Sequence, residues 1–487
     1  MFPFLLCAEV LSFDFNGSQQ KRINPTMRIL RIVLAVFCAV MSQHSQFLLA
    51  QTKADFGIST IGYSVSPSQF PPVVRLCCGT TWLDMNPSSG TYNWSSLDSG
   101  LARTAGHPGS VNLLTLLKVP SWANGGNGSY VPPSDIGTGD NHFKTFVTAL
   151  MQHLCGTSQK PLNPIVGGCS NMRYIEMWNE FNSDGYWSGT DAQLAGMSND
   201  ASTIIHQYCG DCYVVAGSVS AGGDGFHANG QPGNYITALL DYLQAWGAIS
   251  GRSLPDAVSI HAYPARTNVT PAPFPTTIVS HSSSLCSTTT PSVYCRAAIK
   301  DQVNIVNSTS ILKNSSISSW AANLPVLITE GGYGLNTNVC DGTDCTATHV
   351  NVKFLRAAYA AEWQMLLAAQ APAHVLWYAY NEPNWGTMYD GTTTNFTYTA
   401  FTQMSQWLQS MTITGQPIVS PVTGGNVWLV QGTINGAQAE LIFFDGWLTS
   451  HVYATAYHTV QTLDGSTNPT NGSVTTTQQP MLLTDHQ

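Results

Sequence analysis

The stretch Tyr174-Ile-Glu-Met-Trp-Asn-Glu-Phe-Asn182 decides how the rest of the chain is interpreted. An apolar run of β type ends in Trp178-Asn-Glu180, so a carboxyl group stands at the exit of a predicted strand with an amide beside it. The run Pro325-Val-Leu-Ile-Thr-Glu-Gly-Gly332 repeats the design, with Glu330 at the strand exit. Two carboxylates presented in this way indicate acid/base and nucleophilic chemistry on a glycosidic bond.

Strand-like apolar runs alternate with helical stretches along residues 51–412, which is the pattern of parallel βα units. Helical spacing is clearest in the apolar stripe Phe143, Phe146, Val147, Leu150 and Leu154. Further helices are predicted at 190–207, 233–247, 347–369 and 397–410. The eight predicted strands are 56–61, 73–77, 111–117, 173–178, 213–218, 257–261, 326–329 and 374–378. Eight units predict an α/β fold, a (β/α)8 TIM barrel whose chemistry lies on loops at the C-terminal ends of the strands.

Two regions, residues 413–487 and 264–295, differ in sequence pattern from the predicted βα units. From about residue 413 short β runs at 427–430, 439–444 and 452–458 alternate with Gly and Asn turns, which predicts a β-sandwich accessory domain over residues 413–487. We expect a structural role for it, with sugar binding as the alternative. Residues 264–295 are rich in Pro, Ser and Thr and predict a loop that lines the cleft.

Residues 1–50 are predicted to be an N-terminal extension and secretion signal. Arg28 and Arg31 precede an apolar run at 32–40, which is too short to span a bilayer. A membrane anchor is the alternative for this segment. We therefore expect a secreted or periplasmic protein with no membrane span in the mature form.

The overall composition limits the classes of molecule that the protein is expected to bind. Of the 487 residues only 9% are charged, and the formal net charge of −9 leaves no basic face for nucleic acid. The 13 Trp and 19 Tyr stand in a neutral polar background that suits sugars, whose C–H faces stack on aromatic rings. We expect an oligosaccharide or polysaccharide as the partner and no nucleic acid.

Cysteine usage indicates an oxidising compartment. Ten of the 12 Cys lie after the leader, mostly in short-range couples. The predicted disulfides are Cys155–Cys169, Cys209–Cys212, Cys286–Cys295 and Cys340–Cys345. A redox or metal motif is the alternative for Cys209-Gly-Asp-Cys212, and it is weakened because no second pair adjoins it in sequence.

Barrel geometry favours Glu180 and Glu330 as the working pair. If they end the fourth and seventh strands, their Cα atoms lie about 13 to 14 Å apart, which leaves about 5 Å between the carboxyl groups. The alternative general acid is Glu382 in Asn381-Glu-Pro383. It follows the eighth strand beside Glu330, where two carboxylates repel each other without enclosing a sugar ring.

Several motifs occur together along the predicted barrel: Val74-Arg75-Leu, Trp82, Gly90 to Asp98, Pro120-Ser-Trp122, Glu176-Met-Trp-Asn-Glu180, His261-Ala-Tyr263 and Ile328-Thr-Glu330. With these motifs the chain resembles the retaining glycoside hydrolases of clan A and is most similar to family 39 and its unassigned relatives. The resemblance covers about residues 56–412, and the later β region resembles the accessory sandwich of such enzymes.

The resemblance implies a role for each matching position. Glu180 is expected to be the acid/base and Glu330 the nucleophile. The resemblance implies that Asn179 binds the sugar 2-hydroxyl and that Arg75 and Tyr263 hold Glu330. It also implies that Trp377 stacks under the sugar as the floor of the subsite and that His261 forms a nearby polar wall. Trp122 belongs to the core or to the cleft. Glu176 lies deeper on the strand of Glu180 and is expected to be structural.

Other reaction classes lack their motifs in this sequence. There is no GxSxG elbow, HExxH pair, phosphate-binding glycine loop or dinucleotide fingerprint, so we expect neither a metal nor another cofactor. The hypothesis from another class is a non-catalytic carbohydrate-binding protein on a glycosidase barrel. The low positive charge favours a neutral β-linked xylan- or glucan-like substrate over a uronate-rich polyanion.

Overall fold

Eight parallel strands form a closed barrel. The structure, a computed structural model, describes residues 55–60, 71–76, 79–156, 169, 171–183, 185–220, 235–263, 286–287, 290–291, 299–332, 348–380, 388–389, 394–445 and 450–486. The barrel strands are β1 (Asp55–Thr60), β2 (Val73–Leu76), β3 (Val111–Leu116), β4 (Met172–Met177), β5 (Tyr213–Ser220), β6 (Ala257–His261), β7 (Val326–Glu330) and β8 (His374–Trp377). Each pairs with its chain neighbours, and β8 closes the ring against β1. The predicted (β/α)8 TIM barrel is confirmed.

Helices occupy the connections between the strands. They are α1 (Trp82–Met85), α2 (Ser95–Ala105), α3 (Asn141–Cys155), α4 (Asp191–Tyr208), α5 (Tyr235–Gly247), α6 (Gln302–Val306), α7 (Ser318–Ala321), α8 (Thr348–Ala368) and α9 (Phe396–Ser410), with a 3-10 turn at Ile299–Asp301. The apolar stripe predicted for α3 is its buried face. At the start of α4 the Thr190 hydroxyl accepts from the Gln193 amide while the Gln193 side chain accepts from the Thr190 amide, a capping box.

Inside the barrel an apolar floor supports a polar layer. The floor consists of one inward side chain from each of seven strands: Val73, Leu113, Tyr174, Val215, Ala257, Leu327 and Leu376. On β1 the corresponding residue is Gly57, where a Cβ would lie 2.3 Å from the Val73 carbonyl oxygen. Because side chains alternate along a strand, the next inward position lies two residues further on. There six strands carry polar side chains: Ser59, Arg75, Thr115, Glu176, Ser259 and Thr329.

The C-terminal region forms antiparallel sheets. Its strands are β9 (Met411–Ile413), β10 (Ile418–Val422), β11 (Gly425–Ile434), β12 (Ala437–Phe444), β13 (His451–Ala454), β14 (Tyr457–Gln461), β15 (Thr467–Pro469), β16 (Ser473–Thr476) and β17 (Met481–His486). The main sheet has the order β9-β11-β12-β17-β14-β15, with β10 also paired to β11, and β13 and β16 form a separate ribbon. Two short strands, Cys286–Ser287 and Thr290–Pro291, pair with each other.

Both faces of the main sheet are buried, as in a β-sandwich. Trp428, Leu441 and Phe443 join the large core that contains the barrel helices, whereas Val427, Ile442 and Phe444 belong to a second core that includes Val474 of the ribbon. Residues Lys53–Gln487 form one compact unit, and the boundary predicted between 412 and 413 falls within β9.

One predicted strand of this region is wrong. The run 452–458 was expected to be continuous, but it is divided between β13 in the ribbon and β14 in the main sheet. The Thr455 amide donates to the Gly472 carbonyl and the Tyr457 amide donates to the Thr455 hydroxyl, so the chain changes sheets at this point. An alternating pattern indicates a β conformation but does not indicate which sheet each half joins.

Two disulfides lie near the N-terminal ends of β4 and β5, at the barrel end opposite the glutamates. Cys155 at the end of α3 is bonded to Cys169, and Cys209 after α4 is bonded to Cys212. Sulfur atoms of Cys155, Cys169 and Cys209 lie within 4.8 Å of one another. The predicted pairs Cys286–Cys295 and Cys340–Cys345 stay predictions, because Cys295, Cys340 and Cys345 lie outside the described residues, as does nearly all of the predicted cleft loop.

Among the helices that the structure describes, none is long and apolar enough to cross a bilayer.

Candidate active site

Arg75 is the centre of the polar layer. Its Nη1 donates to Glu330 Oε2 over 2.6 Å, and its Nη2 donates to Glu176 Oε2 over 3.0 Å. Nη2 also donates to Asn179 Oδ1 over 2.6 Å, and Nε donates to the Thr115 hydroxyl over 3.1 Å. The guanidinium presents its donors in a fixed plane, so one side chain can orient several acceptors. Arg75 thus ties β2 to the exits of β4 and β7.

Glu176 is a buried anion held by three side chains. Its exposure is 0%, and besides Arg75 it accepts from the hydroxyls of Thr115 over 2.7 Å and Thr329 over 2.6 Å. Burial by itself raises the pKa of Glu176, but the charges of Arg75 and His261 and the two hydroxyl donors outweigh it and lower that pKa. Glu176 therefore stays ionised and fixes Arg75, which agrees with the structural role expected for it.

Glu180 stands on an unusual turn of backbone just after β4. Trp178 has φ of +82° and Glu180 has φ of +43°, a region that residues with a Cβ seldom occupy. The turn is held because the Trp178 amide donates to the Leu116 carbonyl over 3.1 Å and the Glu180 amide donates to the Ser218 hydroxyl over 3.3 Å. Such conformations persist where surrounding contacts enforce them, and they concentrate at functional sites.

His261 lies behind both glutamates. Its Nδ1 is 2.9 Å from Glu180 Oε1 and 3.7 Å from Glu330 Oε2, and its exposure is 0%. Burial lowers the pKa of His261, but the charge of Glu330 and the hydrogen bond and charge of Glu180 together raise it. The expected polar wall toward substrate is therefore wrong, because no part of the imidazole reaches the cleft. Its Nδ1 instead lies within hydrogen-bond distance of the Glu180 carboxyl group.

Tyr263 holds the other oxygen of Glu330. Its hydroxyl donates to Glu330 Oε1 over 2.5 Å, and its carbonyl accepts from Gln302 Nε2 over 2.9 Å. Burial and the negative charges of Glu330 and Glu180 raise the pKa of Tyr263 well above its ordinary value. The phenol therefore remains a donor, and both carboxylate oxygens of Glu330 are oriented, one by Tyr263 and one by Arg75.

The two glutamates meet at the barrel mouth. Carboxylate oxygens of Glu180 and Glu330 and a ring nitrogen of His261 lie within 4.8 Å of one another. The side chains of Glu180 and Glu330 are 15% and 13% exposed, so solvent reaches both. The spacing agrees with the separation of about 5 Å worked out for strands four and seven. This geometry allows one carboxyl group to give a proton to one atom of a bond while the other carboxylate attacks the second atom of the same bond.

Among the described side chains, Glu180, His261 and Glu330 could also bind a divalent cation, since two carboxylates and an imidazole are ordinary ligands. The Arg75 guanidinium already places a positive charge 2.6 Å from Glu330. A cation bound there would have to compete with that charge for the same carboxylate.

The prediction for Trp377 is wrong. Its exposure is 1%, and its ring contacts Trp363 and Phe401 of the helix layer at centroid distances of 5.4 and 6.4 Å. Because Leu376 points into the barrel, strand alternation turns Trp377 outward. The indole therefore offers no face to a sugar.

Two further predicted residues stay open. Trp122 is half-buried in the loop after β3, where its indole donates to the Asn86 carbonyl over 2.9 Å and meets Trp82 edge-on. Its contact with substrate remains a prediction. Glu382, the alternative general acid, lies outside the described residues.

Several site residues were missed by the sequence reasoning. Thr115 and Thr329 hold Glu176, and Ser218 holds the Glu180 backbone. The sequence pattern that could have identified them is a hydroxyl residue in an otherwise apolar strand. Both threonines also lie two positions beyond a residue of the apolar floor. Tyr186, in the loop after β4, was also missed, since nothing in its local sequence distinguishes it from other loop tyrosines.

Solved structures with a similar fold include glycosidases. A family 39 glycoside hydrolase from the gut symbiont Bacteroides cellulosilyticus WH2 superposes with TM-score 0.58 at 14% identity, over 89% of this chain and 81% of that one. CelM2, a bifunctional glucanase-xylanase from a metagenome library, superposes with TM-score 0.52 at 13% identity, over 89% and 97%. No protein-family profile and no curated protein sequence matches the chain. The structural likeness therefore extends to the fold of barrel plus β-sandwich.

Proposed function

We propose that the chain is a clan A glycoside hydrolase that cleaves a neutral β-linked polysaccharide or oligosaccharide, xylan- or glucan-like, with retention of anomeric configuration. The observation that carries this proposal is the approach of Glu180 and Glu330 oxygens to within 4.8 Å at the open mouth of the barrel. Retaining enzymes keep their carboxyl groups about 5 to 5.5 Å apart, whereas inverting enzymes need about 6.5 to 9.5 Å to admit a water.

The first step is attack by Glu330 on the anomeric carbon. Arg75 and Tyr263 each donate a hydrogen bond to Glu330 and aim its oxygens, so the carboxylate forms the new bond as the glycosidic C–O bond breaks. Glu180 gives its proton to the departing oxygen, which leaves as an alcohol. His261 supports this transfer because its Nδ1, 2.9 Å from Glu180 Oε1, orients the carboxyl group.

The second step reverses the proton flow. Glu180, now ionised, takes a proton from a water that attacks the anomeric carbon, and the bond to Glu330 breaks. Asn179, whose Oδ1 accepts from Arg75 over 2.6 Å, binds the sugar 2-hydroxyl in this proposal. The same residues therefore serve both steps, with Glu330 leaving as the carboxylate that Arg75 stabilises.

The likeness of the fold to a family 39 glycoside hydrolase and to a glucanase-xylanase supports the substrate class. The excess of 27 acidic over 18 basic residues supports a neutral glycan, since a polyanion would be repelled. Arg28 and Arg31 before a short apolar run support secretion, which suits an enzyme acting on an extracellular polymer.

The experiment is covalent trapping with a panel of 2-deoxy-2-fluoro-β-glycosides of xylose and glucose that carry dinitrophenolate leaving groups. We expect stoichiometric labelling of the peptide that contains Glu330, measured by mass spectrometry. Glu330→Gln should abolish both labelling and turnover, while the matched control Asp464→Asn, at an exposed turn of the C-terminal sheet, should change neither.

The second candidate function is a non-catalytic carbohydrate-binding protein on the same barrel. It predicts sugar binding with no labelling and no turnover across the panel. Turnover that survives Glu330→Gln undiminished would refute the assignment of the nucleophile.

A further inference from the structure

Two tyrosines lie together beside the proposed acid/base. Tyr130 belongs to the loop after β3 and Tyr186 to the loop after β4, and both are half-buried. Their rings meet edge to face with centroids 5.4 Å apart. We call this pair the tyrosine wall. It comes from the two loops on the Glu180 side of the barrel mouth and has no part in the chemistry described above.

The tyrosine wall is held rigidly by its own backbone. The Tyr130 carbonyl accepts from the Ser188 amide over 3.0 Å and from the Ser188 hydroxyl over 3.2 Å. The Tyr186 carbonyl accepts from Trp178 Nε1 over 2.6 Å. The two loops also touch at Gly189, where a Cβ would lie 2.5 Å from Pro132. A surface fixed in this way binds a ligand without first being ordered.

Backbone hydrogen bonds hold Tyr186 close to Glu180, since the Ser183 amide donates to the Glu180 carbonyl over 2.9 Å and the Tyr186 amide donates to the Ser183 carbonyl over 2.9 Å. Burial raises the pKa of Tyr186 to about 12, and Glu180 adds to this rise more than Glu330 does. The phenol therefore lies within the field of both carboxylates and responds more strongly to Glu180. With a pKa of about 12 it is an uncharged hydroxyl at neutral pH.

We propose that Tyr130 and Tyr186 bind the leaving-group sugar, so that the natural substrate is a glycan with a further neutral sugar on the leaving side of the scissile bond. This inference rests on the proposed function. The general acid must reach the departing oxygen, so the leaving group lies on the Glu180 side, where the tyrosine wall stands. Aromatic faces pack on sugar C–H groups, and a neutral phenol can exchange hydrogen bonds with sugar hydroxyls.

The test compares two substrates that share a donor sugar and differ in leaving group. One is β-1,4-xylotetraose or cellotetraose, whichever the wild type hydrolyses, and the other is the β-fluoride of the same donor sugar. Fluoride departs without any sugar on the leaving side, so its release does not use the tyrosine wall. The variants are Tyr130→Ala and Tyr186→Phe, with Tyr453→Phe in the C-terminal ribbon as matched loss of a hydroxyl.

We expect kcat/KM on the tetrasaccharide to fall about tenfold in Tyr130→Ala and about threefold to tenfold in Tyr186→Phe. Turnover of the fluoride should change less than about twofold, and Tyr453→Phe should leave both rates as in the wild type. Equal losses on both substrates, or no loss on either, would overturn the role of the tyrosine wall while leaving the proposed function standing. A wild type that hydrolyses neither substrate would overturn both.

Discussion

Replacing Arg75 with Met removes the one guanidinium that the three carboxylate and amide groups share. The apolar stem is retained, but buried Glu176 and half-buried Glu330 lose their counter-charge. Removing one partner of a buried pair costs about 3 to 5 kcal/mol of the free energy of unfolding. The exposures of Arg75 and Glu176 side chains, 6% and 0%, leave little solvent to screen this loss. A domain in the upper part of the ordinary range of about 5 to 15 kcal/mol stays folded after this loss.

The loss should depend on pH in a defined direction. In the wild type the pKa of Glu176 is lowered below its ordinary 4.5, so its stabilising contribution is present above pH 4.5 and is lost as pH falls through the lower folded value. Without Arg75 the burial of Glu176 is unopposed by its main counter-charge. The variant should therefore differ least from the wild type in acid and most near neutral pH.

The assay is urea unfolding followed by tryptophan fluorescence at several pH values between 3 and 8, with Arg75→Lys as the control that keeps the charge. We expect Arg75→Lys to retain part of the stability at neutral pH while its kcat/KM still falls by about a hundredfold or more, because a single ammonium cannot replace the planar fork. A destabilisation of Arg75→Met that stays constant across this pH range would refute the reasoning, since it would point to lost packing instead of lost charge.

Three other predictions concern single side chains. The raised pKa of His261 implies a stabilising contribution that is fully present below about pH 6.5 and is lost as pH rises through the pKa of His261 in the folded protein. His261→Asn should flatten the decline in the free energy of unfolding between pH 6.5 and 9. An unchanged slope of that free energy against pH would contradict the charge assigned to His261. Trp377→Phe should lower the free energy of unfolding by about 1 to 3 kcal/mol and leave KM unchanged, because the indole is buried in the helix layer. Urea unfolding measures the first effect and steady-state kinetics measure the second. Thr329→Val should destabilise by about 1.5 to 3 kcal/mol at pH 7, since the ionised Glu176 loses a 2.6 Å hydrogen bond; a melting temperature equal to that of the wild type would count against it.

The order of strands and helices could be predicted because local patterns record it. The stripe in α3 and the apolar runs of the barrel strands each depend on residues a few positions apart, and the structure places all of them within one or two residues of the expected ends. The carboxylates at the exits of β4 and β7 were predictable for the same reason. Which side chains of β8 point into the barrel could not be predicted, because His374–Trp377 is buried on both faces and shows no alternation of apolar and polar residues.

By itself the sequence determined a (β/α)8 barrel with a β-rich C-terminal region, and the two glutamates that end its fourth and seventh strands. Only the tertiary structure decided which groups hold them. Arg75 reaches Glu330 across 255 positions of chain, and His261 reaches Glu180 across 81. Local periodicity reports burial along one element, whereas these contacts arise when the barrel closes and brings the ends of β2, β4, β6 and β7 around one axis. The tyrosine wall and the outward Trp377 follow from that same closure.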